Sequence, residues 1–137
     1  MSDANIDLVR RSYELFAASG EFVVQSAAPD FVWDMSKFAG WLEQPLYEGP
    51  DEASRFLREW TEPWDEWTLQ VDSLRDAGDR VVAVMRQQGR SKATGMRVDM
   101  SFAQVWTIAD GKMTRMEMYA DAAEALHAVG LDVSGLD

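Results

Sequence analysis

The segment FVWDMS, residues 31 to 36, places one carboxylate inside an apolar stretch. Its aromatic and aliphatic residues are typical of a half-buried β-strand, whereas Asp is uncommon in strands and an ionised carboxylate is costly to bury. Because side chains alternate along a strand, Asp34 shares a face with Val32 and Ser36. If that face lines a cavity, burial raises the pKa of Asp34, and the carboxylate can act as a general base beside a carbonyl group. If the face meets solvent, Asp34 is only a residue of the cavity rim.

Gln104 is a second polar residue within an apolar row. On a strand it shares one face with five apolar side chains, those of Val98, Met100, Phe102, Trp106 and Ile108. A Gln amide in such a row can donate a hydrogen bond to an oxyanion that forms during a reaction. It can equally be a buried amide that is bonded to a neighbouring element. Both interpretations stay open.

Composition excludes several classes of site. The chain of 137 residues has no Cys and one His. Disulfides and thiolate metal sites are therefore impossible, and because His127 falls on the solvated side of a predicted helix, we expect neither a Ser-His-Asp triad nor a His-based metal site. The net charge of −11 disfavours nucleic acid and anionic lipid as partners. No apolar stretch is long enough to cross a bilayer and no secretory signal is present, so we expect a cytoplasmic protein.

The periodicity of apolar residues changes along the chain from about 3.6 to 2, which indicates an α+β fold. Helices packed on one face of a long, curved sheet would leave a concave space for a small molecule. In chain order the pattern predicts helices over 3–19 and 21–28, strands at 31–36 and 46–48, a helix from Pro50 to just before Pro63, four antiparallel strands at 67–76, 80–90, 96–108 and 112–120, and a closing helix over 121–131.

The second half of the chain, GDRVVAVMRQQGR followed by FAQVWTIADGKMTRMEMYADAAEALHAVGL, resembles the nuclear-transport-factor-2-like superfamily. Within it, the chain is similar to the SnoaL-like group, named for a polyketide cyclase, and to the ketosteroid isomerases. The resemblance extends over nearly the whole chain and implies a single SnoaL-like domain over residues 1–137. It further implies a cone-shaped α+β fold of the cystatin-like barrel type, with a mixed, largely antiparallel sheet, helices on its concave face, and homodimers.

The resemblance also implies roles for particular residues. In ketosteroid isomerases the base lies in a first-strand motif similar to Val32-Trp33-Asp34-Met35, and a Tyr precedes a Gly by seven positions on the first helix, as Tyr13 precedes Gly20. Those enzymes complete the oxyanion hole with a protonated Asp, and alignment on the hairpin ADGK puts Gln104 or Ala103 of this chain at that place. Steroid isomerisation itself is therefore not the expected reaction.

Asp121 has two explanations. In similar polyketide cyclases, an Asp near the end of the last strand acts as acid and base, and Asp121 occupies the matching place. The segment Asp121-Ala-Ala-Glu124 is also a helix capping box, in which Asp121 accepts a hydrogen bond from the first turn and Glu124 reaches back. We favour the cap, because it accounts for both residues without any chemistry.

The aromatic and Met residues predict a greasy pocket inside the cone. Trp41 falls in the loop after the first strand, where it can close the mouth over a ligand or simply anchor the loop. The predicted pocket residues are Trp41, Trp60, Met85, Met100, Phe102, Trp106, Met116 and Met118.

Two functions remain open from the sequence. The first is an enzyme without cofactor or metal, acting by general acid/base chemistry (cyclisation, isomerisation or dehydration) on a small hydrophobic carbonyl compound. Asp34 would be its base, Tyr13 and Gln104 its oxyanion donors, and Asp121 a second acid or base. The second is a non-catalytic module that binds a hydrophobic molecule or a second copy of the chain. Val81 and Val105 are predicted to face outward on a sheet surface that could form such a homodimer.

Overall fold

The computed structural model describes residues 2–19, 27–38 and 44–131. The described residues form three helices and six strands that make one sheet. The elements are α1 (Ser2–Ser19), β1 (Ala27–Asp34), β2 (Leu46–Glu48), α2 (Pro50–Thr61), β3 (Trp64–Asp76), β4 (Arg80–Ser91), β5 (Arg97–Ala109), β6 (Lys112–Tyr119) and α3 (Ala122–Ala128).

The sheet has the strand order β2-β1-β6-β5-β4-β3. β1 runs parallel to β6, and all other neighbours are antiparallel. The long strands β3 to β6 follow one another through tight turns, and the last of these, Asp110-Gly111, has positive φ at both residues (53° and 75°), as a type I′ hairpin turn requires. The predicted α+β fold with a curved, mixed sheet is confirmed.

The predicted helix over residues 21–28 is wrong at its C-terminal end. Ala27 and Ala28 belong to β1, where Ala27 pairs with Met113 of β6, and both alanines are buried. Ala is a good helix former, but pairing with a neighbouring strand overrides this weak preference. Pro29 is accommodated because the β1–β6 register shifts between Ala27 and Val32. Residues 21–26 lie outside the described residues.

α1 and α2 cover one face of the sheet. Val9 of α1 and Phe56 of α2 are buried in the same apolar cluster as Trp33 and Trp106 of the sheet. The sequence of α2 explains its position, since Pro50 occupies the first turn, Asp51 and Glu52 lie at the positive end of the helix dipole, and its inner residues are buried. These two helices and the sheet enclose a cavity between them.

α3 covers the opposite face of the sheet. Its buried Leu126 packs in a second cluster with Val82 and Val105, which point away from the cluster under α1 and α2. Val105 therefore lies beneath α3, and Val81 is fully buried in the first cluster, where it pairs with Trp106. The prediction that Val81 and Val105 form an outward surface is wrong for both residues. Val81 lies on the sheet face that α1 and α2 cover, and Val105 lies on the face that α3 covers. No helix among the described residues is long and apolar enough to cross a membrane.

Candidate functional site

A cavity lies between α1, α2 and the sheet, and we call it the aromatic cavity. It has a volume of about 40 Å³ and opens into a depression, and the two together, counted with the space open to solvent, amount to about 530 Å³. Helices and strands from both ends of the chain contribute to its wall. The lining residues are Ser12, Tyr13, Phe16, Trp33, Phe56, Leu57, Trp60, Trp67, Leu69, Gln87, Phe102, Gln104, Trp106 and Met118.

Several predicted pocket residues lie at this cavity and others do not. Trp60, Phe102, Trp106 and Met118 line it, together with Tyr13 and Gln104. Three predicted Met residues are not part of the wall. Met85 and Met116 are fully buried in the surrounding core, and Met100 is half-buried against that core. Trp41 lies outside the described residues.

Three polar groups form a hydrogen-bonded chain on the cavity wall. The indole Nε1 of Trp106 donates to the Tyr13 hydroxyl at 2.8 Å, and this hydroxyl donates to Gln104 Oε1 at 2.5 Å. Burial raises the pKa of Tyr13 far above its ordinary value of 10.0, which outweighs the opposite effect of the bond from Trp106. Tyr13 is therefore neutral, and its hydroxyl hydrogen is already engaged in the hydrogen bond to Gln104 Oε1.

The amide group of Gln104 is less strongly bound on its other side. Gln104 Nε2 lies 3.9 Å from the sulfur of Met118, which is a weak acceptor. The side chain as a whole is only 6% exposed. Gln104 is thus a buried amide whose oxygen accepts a hydrogen bond from Tyr13. Among the described residues, the Met118 sulfur is the one acceptor recorded for its N–H group.

Sequence reasoning missed Trp33, Gln87 and Trp67 as cavity residues. Gln87 is 2% exposed and accepts a hydrogen bond from Trp60 Nε1 at 2.6 Å. Its polar type among buried residues of β4 is the same signal that singled out Gln104. For Trp33 the signal was the alternation of side chains along β1. The face of Asp34, rather than that of Trp33, was considered as the one that lines the cavity.

Asp34 lies on the side of β1 that faces away from the aromatic cavity, and Trp33 takes the inward position. The prediction that Asp34 faces the cavity with a raised pKa is wrong. Its carboxylate is buried, but one oxygen accepts from the N–H (2.8 Å) and hydroxyl (2.6 Å) of Ser36, and the other from Arg115 (2.5 Å). Burial raises the pKa of Asp34, but the hydrogen bonds from Ser36, the charge of Lys37 and the hydrogen bond from Arg115 outweigh it, so the pKa lies below its ordinary value of 3.8.

Asp34 belongs to a network of two acids and two bases. Lys37 Nζ lies 3.4 Å from Asp34 and 3.0 Å from Glu117, and Arg115 approaches both acids. The hydrogen bond to Glu117, together with the charges of Glu117 and Asp34, raises the pKa of Lys37 despite partial burial. This network connects the turn after β1 to β6. Because every acid in it is paired with a base, it is a structural ion cluster, and Asp34 is not free to act as a general base.

Asp121 is the N-cap of α3 and is exposed. Its carboxylate accepts a hydrogen bond from the backbone N–H of Ala123 at 2.8 Å. It is not part of the cavity wall. The structure thus gives Asp121 the capping role, and the predicted catalytic role at the cavity is not supported because the carboxylate points into the first turn of its own helix.

The wall of the aromatic cavity carries no carboxylate, amine or imidazole, as far as the described residues define it. Its polar groups are Ser12, the hydrogen-bonded chain of Trp106, Tyr13 and Gln104, and the bonded pair of Trp60 and Gln87. The rest of the wall consists of aromatic rings and of Leu and Met side chains. Nor do the described residues contain a group of three or more acidic or His side chains that could hold a metal ion. The cavity can therefore enclose an apolar body and offer it a few neutral hydrogen-bond donors.

Comparison with known proteins agrees with this architecture. Residues 9–116 match the model of a family described as a SnoaL-like domain. The chain belongs to this family. The predicted resemblance to nuclear-transport-factor-2-like proteins of the SnoaL-like group is confirmed.

Relatives of this SnoaL-like domain are known from sequence and structure. An uncharacterized protein of Mycobacterium tuberculosis is 34% identical over 130 residues, which is 88% of this chain and 92% of the relative. A nuclear-transport-factor-2-like protein of unknown function from Burkholderia pseudomallei has a TM-score of 0.72 at 25% identity, over 93% of this chain and 98% of the other. TerC, co-crystallized with polyporic acid, also has a TM-score of 0.72 at 25% identity, over 92% and 97% of the two chains.

Proposed function

We propose that this SnoaL-like domain binds an uncharged, largely apolar small molecule in the aromatic cavity, without catalysing its conversion. The observation that carries the proposal is the composition of the wall, in which the described residues place aromatic and aliphatic side chains but no charged group. An ionised ligand would lose its hydration there and gain no opposite charge, which costs several kcal/mol. A neutral ligand gains from each apolar surface that it covers.

The position of the titratable groups supports binding rather than proton transfer. A general base must lie within hydrogen-bond reach of the proton that it removes. Asp34 is held by Ser36, Arg115 and Lys37 on the other side of β1, and Asp121 caps α3. Tyr13, the one ionisable group that the described residues place in the wall, has a pKa too far above neutrality to act as a base. TerC, which was co-crystallized with polyporic acid, supports the view that relatives of this fold accept small molecules.

The test is to fill the cavity and measure binding of a neutral probe. Leu57 is a half-buried residue of the wall, and Leu57→Trp would occupy part of the open space. We expect this variant to weaken binding of 1-indanone, a rigid bicyclic ketone, at least tenfold, because overlap with a larger side chain removes the site. Calorimetric or NMR titration gives the Kd.

The matched control places the same new side chain outside the cavity. Leu46 is 39% exposed on β2, and it pairs with Asp34 on the face turned away from the aromatic cavity. Leu46→Trp is expected to leave the Kd within twofold of the wild type. Equal weakening by both variants, or no binding of 1-indanone to the wild type, would contradict the proposed function.

A catalytic function is the second candidate, and the Tyr13–Gln104 pair is the observation in its favour. Gln104 Nε2, with only the Met118 sulfur nearby at 3.9 Å, can turn toward an enolate oxygen. Enolisation would then precede isomerisation, cyclisation or dehydration of a hydrophobic carbonyl compound. The test is deuterium exchange at the carbon next to the carbonyl of 1-indanone in D₂O. Exchange that the wild type accelerates and Gln104→Leu does not would favour catalysis with the Gln104 amide as oxyanion donor and water as the proton acceptor.

The homodimer and the cytoplasmic location stay predictions. The dimer surface inferred from Val81 and Val105 is no longer available, since both side chains are buried within the domain.

A further inference from the structure

The indole N–H of Trp67, a residue of the cavity wall, is buried and unpaired among the described residues. A buried donor that lacks an acceptor costs about 1–3 kcal/mol, and most such donors in proteins are paired. A ligand atom in the cavity would remove this cost.

The backbone around Trp67 is built to turn this side chain inward. The β3–β4 register shifts between Asp65 and Thr68, so that Glu66 and Trp67 together oppose Gly89. Such a bulge redirects side chains, and bulges are frequent beside functional sites. Glu66 has φ of 52°, in the left-handed region, which costs a non-Gly residue about 1–2 kcal/mol.

Contacts on both sides hold the bulge and the ring in place. The carboxylate of Glu66 lies 3.3 Å from Arg90 Nε and 3.5 Å from an Arg97 nitrogen. Phe16 of α1 meets the Trp67 ring edge-on, with centroids 5.6 Å apart and planes at 83°. Strained backbone that is held by its surroundings is concentrated at binding sites. The fold thus maintains a locally unfavourable conformation that places the Trp67 ring, with its unpaired N–H, in the cavity wall.

We propose that the Trp67 indole N–H anchors the ligand, and that the ligand therefore carries a neutral hydrogen-bond acceptor, such as a ketone, ester or ether oxygen, on an apolar body. This inference rests on the proposed function and adds the ligand's chemical class to it. An acceptor is selected over a pure hydrocarbon because the hydrocarbon would leave the buried N–H unpaired. Trp67 is then the residue that determines specificity.

The experiment compares two probes that differ by one oxygen, 1-indanone and indane. The wild type should bind 1-indanone about five- to tenfold more tightly than indane. In Trp67→Phe this preference should fall to about twofold or less. Both probes lose the same ring contact in the variant, so the ratio of their Kd values isolates the N–H from the lost contact area.

A second measurement needs no variant. In wild-type protein labelled with ¹⁵N-tryptophan and assigned by triple-resonance NMR, the Trp67 indole proton should move downfield with 1-indanone and much less with indane. The proposed role of the Trp67 N–H would be contradicted if both probes bind, their Kd ratio is unchanged in Trp67→Phe, and both shift the indole proton equally. That result would leave the proposed function unaffected. Failure of both probes to bind the wild type would overturn both.

Discussion

At the scale of single residues, environment decides what a carboxylate does. Asp34 is 1% exposed, and burial alone would make it a candidate acid or base. Two hydrogen bonds from Ser36, the charge of Lys37 and a hydrogen bond from Arg115 together outweigh that effect, so the pKa falls instead of rising. Tyr13 shows the opposite outcome, since burial among neutral partners raises its pKa.

Replacing Asp34 by Asn should reduce the free energy of unfolding by about 2 kcal/mol at pH 7, because charge-assisted hydrogen bonds are lost. The folded-state pKa of Asp34 lies below 3.8, so its contribution is complete above that pH and is lost as the pH falls through the folded value. The difference between wild type and variant should therefore be constant from pH 7 to 5 and shrink below pH 3.8. Urea unfolding at several pH values measures it.

Asp7 provides the control for this prediction. It pairs with Arg10 at 3.0 Å, but its side chain is 63% exposed. Asp7→Asn should change the free energy of unfolding by less than about 0.5 kcal/mol, because exposed pairs contribute little. If the gap between wild type and Asp34→Asn widened on acidification, the ion cluster would not be the source of its stability.

At the scale of elements, the periodicity of apolar residues and the turn residues made β3 to β6 and α2 predictable. Which face of a strand lines the cavity was not predictable. Alternation assigns Trp33 and Asp34 to opposite sides of β1, but it does not say which side meets the cavity. That choice depends on Arg115, 81 positions away, which binds Asp34, and on Trp106, which packs against Trp33. The bulge at Glu66 and Trp67 likewise has no strong local signature, because neither residue is typical of positive φ.

The cap of α3 offers a test at this scale. Asp121→Ala should reduce the free energy of unfolding by about 1 kcal/mol, because the N–H of Ala123 loses its acceptor at the start of a seven-residue helix. Asp121→Asn should cost only a few tenths, since an Asn oxygen can accept the same bond. Thermal unfolding of both variants gives the comparison, and binding of 1-indanone should stay unchanged in each. A loss of binding in Asp121→Asn at unchanged stability would return Asp121 to the site.

At the scale of the whole molecule, charge and cavity are separated. The net charge of −11 lies outside the cavity wall, which is neutral in the described residues, and outside the ion cluster of Asp34, which pairs two acids with two bases. α1, α2 and five of the six strands contribute to that wall. Because so many elements meet there, a ligand in the cavity is bound only by the globally folded chain.

Ligand binding should therefore stabilise the entire domain. At a free 1-indanone concentration of ten times Kd, the free energy of unfolding should rise by about 1.4 kcal/mol, which corresponds to roughly 3–6 °C in Tm. Leu57→Trp should show little or no shift at the same concentration, and Leu46→Trp the full shift. Calorimetry measures all three. A bound probe that leaves Tm unchanged would have to bind outside the cavity or to the unfolded chain as well.

The sequence by itself determined the order of α1, β1, β2, α2, the four long strands β3 to β6 and α3, and the position of Gln104 within an apolar row, because these features depend on local periodicity and residue type. Only the tertiary structure decided that Trp33 rather than Asp34 faces the cavity, that Val81 and Val105 are buried, and that Trp67 turns inward. Those outcomes depend on contacts between residues far apart in the chain, which select one of two faces that the sequence pattern leaves equivalent.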